Sequence, residues 1–255
     1  MSKKNKNVLI TGAGTRIGSF IATSMADAGY SVVIHYKNSA EDAVKLATKI
    51  TESGANASPL CADLSSKPQR QGLIKEAAKP FGPLDVLINN ASVFEPDSAL
   101  SLTEELWDEH FELHAKAPIF LARDFARQLP KGTKGNIINI IDERVLRFSP
   151  DFFSYNLSKS VLWTATRTLA QSLAPNIRVN AIGPGPTLPN ARQSESQFAQ
   201  SVNSLPLETS ASPADIAMAV QFLLSSPSMT GQMLTLDGGE HLEWRRHGEI
   251  SQSLP

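Results

Sequence analysis

Short apolar runs alternate with longer stretches whose apolar residues recur at helical spacing, and this alternation continues along most of the chain. The short runs read as seven strands: NVLI (7–10), SVVIHY (31–36), ASPLCADL (57–64, ending at Asp63), VLIN within KPFGPLDVLINNAS (79–92), GNIINII (135–141), NIRVNAIGPG (176–185) and GQMLTLDGG (231–239). The periodic stretches between them read as helices. One starts near Arg16 and stops at Gly29; the next is opened by Ser39 as N-cap; a third runs to about Ala78. Residues 102–129 form one long helical pattern with Pro118 inside it, where a kink or a break is expected. Residues 154–175 and 214–226 supply the last two helices, while Pro184 to about Ser212 is aperiodic and reads as a loop with room for one short helix. Near-continuous apolar strands separated by helices imply a parallel sheet covered on both faces.

Composition narrows the class. With 255 residues, 41% of them hydrophobic, and no repeat or linker, the chain suits one single-core α/β domain. A net charge of -1, from 24 basic and 25 acidic residues, gives no basic excess for nucleic acid or an anionic membrane. The lone Cys61 excludes an intrachain disulfide and fits a reducing cytoplasm, and no apolar segment approaches the ~20 residues of a bilayer span. The basic start MSKKNKN is followed by an apolar run too short for a signal peptide, so a soluble cytoplasmic protein is expected. No HExxH or Cys/His cluster suggests a metal. The charged tail from Glu240 onward reads as surface or subunit-contact material.

Candidate chemistry falls at strand ends. Gly12, Gly14 and Gly18 follow the first strand and open a helix, the context of a pyrophosphate-binding turn, although the spacing is not GxGxxG. The expected architecture is therefore a Rossmann-type, doubly wound, parallel seven-stranded sheet with helices on both faces. An NAD site wants a carboxylate at the end of strand two, where this chain has HYKN; Arg16 and Lys37 are candidates for a 2′-phosphate, and the cofactor expected is NADP(H). Asp63 is placed near the adenine amino group, and Asn89 and Asn90 at the border of the nicotinamide half. Thr15, Ile17, His35, Tyr36, Ser39, Leu64, Ala91 and Ser92 complete the candidate cofactor set on this side, with Pro184, Gly185 and Thr187 after strand six. Tyr155 and Lys159 lie four apart on one helix face, and Asp142 ends the fifth strand. A lysine near a phenol is expected to lower its pKa toward neutrality, giving a proton donor and acceptor for C=O or C=N reduction. Each member has an ordinary alternative: surface cations for Arg16 and Lys37, a turn cap for Asp142, packing for Phe94.

TGAGTRIG, NNAS, Tyr155 with Lys159, and the GPG exit after NIRVN together resemble the short-chain dehydrogenase/reductase family, from Val8 to about Gly239. The resemblance implies Tyr155 as proton donor and Lys159 as the group that binds the nicotinamide ribose. A serine normally stands thirteen positions before the tyrosine; here it is Asp142. Within the family the pteridine reductases look most similar, through Arg16, the His35–Tyr36 pair, Asn89 to Phe94, and an aspartate matching Asp142. That similarity implies NADPH, a pterin or folate substrate such as dihydrobiopterin, dihydromonapterin or dihydrofolate, and a homotetramer. It also implies Arg16 touching cofactor and pterin, Phe94 stacking on the pterin, and Ser92 as a polar contact. The family's mid-chain asparagine is matched by His114, which could hold a water, carry the proton itself, or pack against the sheet. The loop after strand six would close over the substrate, with Leu188 and Phe198 as apolar lining. Two rival functions are a general carbonyl or 3-oxoacyl thioester reductase and a non-catalytic NADP-binding protein.

Overall fold

Seven parallel strands form one sheet in the computed structural model, which describes residues 6–190 and 192–242. They are β1 (Asn7–Ile10), β2 (Ser31–Tyr36), β3 (Ala57–Cys61), β4 (Val86–Asn89), β5 (Gly135–Ile140), β6 (Ile177–Pro184) and β7 (Met233–Leu236), in the order β3-β2-β1-β4-β5-β6-β7. The strand residues alternate between two cores, as a side-chain period of two requires. Val8, Ile10, Val32, Ile34, Val86 and Ile88 face α1 (Arg16–Asp27), α2 (Ala40–Glu52) and α8 (Pro213–Ser225). Leu9, Val33, Leu87, Ile137 and Val179 face α3 (Lys67–Ala77), α5 (Ala117–Gln128) and α6 (Phe153–Leu173). The doubly wound sheet expected from the alternation is thus present, with helices on both faces. Strand order reverses between β1 and β4, and a cleft opens outside the carboxyl ends of strands at such a point.

Two boundaries differ from expectation for identifiable reasons. Strand three stops at Cys61 rather than running to Asp63, because it is an edge strand and the chain turns away once Ala62 N–H has bonded the Tyr36 carbonyl. Its Pro59 is tolerated for the same reason, since an edge strand need not donate on both sides. The long mid-chain helix divides into α4 (Glu104–Phe111), one π turn (Glu112–Lys116) and α5. Pro118 has no N–H to donate four residues back, and its ring crowds the carbonyl there; a locally widened turn absorbs both problems. The residue displaced by that widening is His114. A short helix, α7 (Glu195–Asn203), interrupts the loop after β6, held by a Ser194–Gln197 capping box. The tail expected at the surface reaches a 3₁₀ turn at Glu240–Leu242; the remainder lies outside the described residues. No helix among the described residues is long and apolar enough to cross a membrane.

Candidate active site

The β1–α1 turn shapes one side of the cleft. Gly12 adopts φ +62°, and a Cβ there would meet Ala91 Cα at 2.8 Å; one on Gly18 would sit 2.2 Å from the Gly12 carbonyl. Glycine thus lets backbone pack on backbone here, both glycines line the cavity, and Asn90 Nδ2 fastens the turn by donating to the Thr11 and Gly12 carbonyls at 2.9 Å. Thr15 makes no side-chain cap on α1, and the first turn holds no acidic residue, so the positive helix end faces the cavity uncompensated. Arg16 takes a left-handed backbone (φ +52°), which costs a non-glycine residue on the order of 1 kcal/mol. Its guanidinium reaches across the cleft to the Pro189 and Leu188 carbonyls at 3.0 and 3.4 Å, tying the turn to the loop after β6. The cavity has a volume of about 700 Å³ and is lined by Gly12, Thr15, Arg16, Ile17, Gly18, Lys37, Asp63, Leu64 and Asn90 to Ser92, among others. Bare glycine backbone, an uncapped helix start and two cations are the features a dinucleotide with an extra phosphate requires, so the residues fit NADP(H).

Some of the expected cofactor residues also hold the cavity wall in place. His35 is buried: its Nδ1 accepts from Gly12 N–H at 3.1 Å, and its Nε2 donates to the Ala62 carbonyl at 3.0 Å. Burial outweighs the favourable influence of Ala62 and Asp63, lowering its pKa to about 4, so it braces the glycine turn as a neutral ring. Tyr36 packs against the core on the α1–α2 face, and the Ser39 hydroxyl stands 2.6 Å from where a Cβ on Gly14 would lie. Lys37 pairs with Asp63 at 2.9 Å. Burial would raise the Asp63 pKa, but hydrogen bonds from Ser65 and Lys37 prevail and bring it to about 2. Asn89, expected to border the nicotinamide, instead lies inside the sheet and donates to Asn139 Oδ1 at 2.8 Å; a strand residue pointing into the layer cannot reach the cleft.

A second cavity of about 610 Å³ shares Arg16, Ile17, Asn90, Ser92 and Val93 with the first and holds Asp142, Tyr155 and Lys159. Tyr155 donates its phenolic hydrogen to Asp142 Oδ2 at 2.7 Å, while Asp142 Oδ1 caps the following 3₁₀ turn by accepting from Arg144 N–H at 3.0 Å. Lys159, buried, donates to the Ile140 carbonyl at 3.1 Å, and its ammonium lies 5.6 Å from the centre of the Tyr155 ring. The expectation that the lysine lowers the tyrosine pKa is overturned. Burial first, then the charge of Asp142 and the hydrogen bond to it, push the Tyr155 pKa well above its ordinary value; Arg144 and Ser92 oppose this weakly. Burial, resisted by Asp142, lowers the Lys159 pKa to about 8. Phe94 stands beside Tyr155, ring centres 4.8 Å apart and edge to face, and stacks flat on Phe152 at 4.1 Å. Pro184, Gly185, Thr187, Leu188 and Phe198 line the far wall, where Gly185 lies so close to Asp237 that a Cβ would come within 2.8 Å of its Cα.

A family model described as Enoyl-(Acyl carrier protein) reductase matches residues 12–241. A short-chain type dehydrogenase/reductase from Picea abies is 33% identical over 247 residues, 91% of each chain. The protein belongs to the short-chain dehydrogenase/reductase family. Among solved structures, FolM alternative dihydrofolate reductase 1 from Brucella canis, complexed with NADP, is 45% identical with a TM-score of 0.93, covering 96% of this chain and 97% of that one. The corresponding Brucella suis protein, also with NADP, is 46% identical with a TM-score of 0.93, covering 95% and 98%.

This short-chain dehydrogenase/reductase also brings residues to the cleft that no motif pointed to. Arg144 lies over both Phe94 and Phe152, at 5.4 and 5.1 Å from the ring centres. Arg192 reaches from the loop to Glu95 at 2.6 Å and to the Phe94 carbonyl at 2.5 Å, with its guanidinium 5.9 Å from the Phe94 ring. Glu143 is buried at 2% exposure and has no hydrogen-bond partner for Oε2. Burial, with Asp142 and Glu240 nearby, raises its pKa to about 8. Arg192 sits in the segment expected to close over the substrate, but its partners are 97 and 98 residues away, and no local pattern announces them.

Proposed function

We propose that this protein is an NADPH-dependent reductase that transfers hydride to a pteridine such as dihydrobiopterin, dihydromonapterin or dihydrofolate. The observation that carries the reading is the Asp142 carboxylate bonded to the Tyr155 hydroxyl at 2.7 Å beside the Phe94 ring. A hydroxyl would be enough to hold a ketone oxygen, whereas a carboxylate accepts from the N–H groups of a flat nitrogen heterocycle or keeps the phenol supplied with a proton. The two Brucella proteins are alternative dihydrofolate reductases with bound NADP, and their 45% and 46% identity supports both the coenzyme and the substrate class.

NADPH, when bound, supplies the hydride. Gly12, Arg16, Lys37 and Asn90 would hold its phosphates and adenosine half, and Lys159 its nicotinamide ribose. Phe94 offers an aromatic face to the heterocycle. Tyr155, kept protonated, gives its proton to the ring nitrogen next to the carbon that is reduced, and Asp142 orients the phenol; positioned proton transfer of this kind contributes typically 10²- to 10⁴-fold. The test is NADPH oxidation at steady state with dihydrobiopterin, dihydromonapterin, dihydrofolate and a 3-oxoacyl thioester in parallel. Turnover of the thioester alone would move the protein to the general carbonyl reductases.

The same reading includes a cytoplasmic homotetramer. Phe120, Leu157 and Val161 on α5 and α6, and Met218 and Phe222 on α8, are large apolar side chains 38–62% exposed on two separate surfaces. Two distinct self-complementary faces are what a closed assembly with 222 symmetry needs. Light scattering should give four times the 27.6 kDa chain mass; a monomer would refute the assembly.

A further inference from the structure

The sequence left the role of His114 open among three alternatives, and its hydrogen bonds bear on all of them. The residue occupies the π turn ahead of Pro118 and is 1% exposed. Its Nε2 lies 3.1 Å from the Val93 backbone N–H and 3.0 Å from Ser92 Oγ. A backbone N–H only donates, so Nε2 is an acceptor and the ring proton sits on Nδ1. Nδ1 then donates to Ser158 Oγ at 2.9 Å, and the Ser158 hydroxyl donates in turn to the Tyr155 carbonyl at 2.7 Å. Every site on the imidazole is committed. A second ring proton would set an Nε2–H against the Val93 N–H; burial first, then the Lys159 ammonium on α6 and the His110 ring, stacked at 5.5 Å on α4, also disfavour positive charge. The Tyr155 ring meets the imidazole edge to face, with ring centres 5.2 Å apart.

We infer that His114 is a neutral positioning residue that fixes the distance between two elements, the Ser92–Phe94 segment after β4 and the Tyr155–Ser158 turn of α6, and carries no proton in the reaction. The first element bears the hydroxyl and the aromatic ring that face the substrate; the second bears the proton donor. One rigid five-membered ring bonded to both holds them in register. This is a different job from holding a water or relaying a proton. It rests on the proposed reductase activity for its kinetic consequences, but not for its protonation state.

Two measurements test it. In protein labelled with ¹⁵N-histidine, long-range proton–nitrogen spectra should show His114 as the Nδ1–H neutral tautomer from pH 5 to 9, its signal assigned by loss in His114→Gln. An Nε2–H tautomer, or an imidazolium appearing in that range, would overturn the inference, and this arm needs no pterin. The second arm is the pH profile of kcat/KM. His114→Leu leaves the Val93 N–H and Ser158 hydroxyl without the ring and should lower kcat by roughly 100-fold, as a small displacement of catalytic groups can, with little change in NADPH affinity. His114→Gln, whose amide oxygen can accept where Nε2 does, should recover at least about tenfold of that loss with an unaltered pH profile. A limb near pH 6 in the wild type that disappears in His114→Gln would mean a proton carrier and refute the clamp; full activity in His114→Leu would refute any role. If the wild type turns over no dihydropterin, the proposed function fails while the tautomer arm still decides this inference.

Discussion

Replacing Asp142 with serine separates the two substrate classes this fold can serve. The aspartate makes two bonds, one to the Tyr155 hydroxyl at 2.7 Å and one to the Arg144 N–H at 3.0 Å that caps the 3₁₀ turn. Serine can still cap the turn, so the local backbone should survive and the loss should fall on the bond to Tyr155. A hydrogen bond to a charged group is worth about 1.5–3 kcal/mol. At 1.36 kcal/mol per tenfold, that bond converts to a fall of roughly 10- to 150-fold in kcat/KM for a dihydropterin. The carboxylate also raises the Tyr155 pKa, so its removal should bring phenolate formation to lower pH and move the basic limb of the profile downward. An activated ketone, which needs only the phenolic proton, should keep or gain activity in Asp142→Ser, whereas Tyr155→Phe should damage both reactions. The assay is kcat/KM for both substrates in both variants at one saturating NADPH concentration. Undiminished pterin turnover in Asp142→Ser would leave the carboxylate a turn cap and remove the ground for a pteridine reductase, although the fold and the family would stand.

Two further expectations concern coenzyme and stability. Lys37→Ala should weaken NADPH about tenfold, near the low end for a charged phosphate contact because Lys37 is half exposed and shares its charge with Asp63, and should leave NADH little changed; equal losses in titrations of the two coenzymes would refute the 2′-phosphate assignment. Glu143, with a folded-state pKa of about 8 against an ordinary 4.5, binds its proton more tightly folded than unfolded. The stability this confers is fully present below pH 4.5 and is lost as pH rises through 8, a change on the order of a few kcal/mol. Glu143→Gln cannot ionise, so its urea midpoint should fall less than the wild type's between pH 5 and pH 8; parallel falls would show that Glu143 does not carry this dependence.

The strands were legible because each is a short apolar run whose alternate residues serve two cores, and Val8, Leu9 and Ile10 do so within one strand. The glycine turn was legible for the same local reason: Gly12 and Gly18 are needed where backbone meets backbone. What stayed hidden depends on partners distant in sequence. Pro118 signalled a break, but not that a π turn would deliver His114 to Val93 and Ser158. His35 lines the cavity as expected, but that its ring also braces Gly12 follows only from β2 lying beside β1. Arg144 and Arg192 carry no motif; their place in the site follows from contacts such as the Phe94 ring beneath both guanidinium groups.

The one electrostatic expectation that reversed is the most informative about chemistry. A lysine four residues after a tyrosine shares its helix face, but sharing a face does not fix which charge lies closer to the phenol. Lys159 turns its ammonium to the Ile140 carbonyl, and the group that touches the Tyr155 oxygen is the Asp142 carboxylate. A phenol beside a carboxylate is held as an acid. With its pKa driven up and its hydrogen directed to an oxygen 2.7 Å away, Tyr155 yields a proton only to a group whose basicity approaches that of its own phenolate as hydride arrives. A ring nitrogen gaining electron density moves toward that condition. The aspartate thirteen positions before Tyr155 is thereby tied to the proton-donating step that the proposed reduction requires.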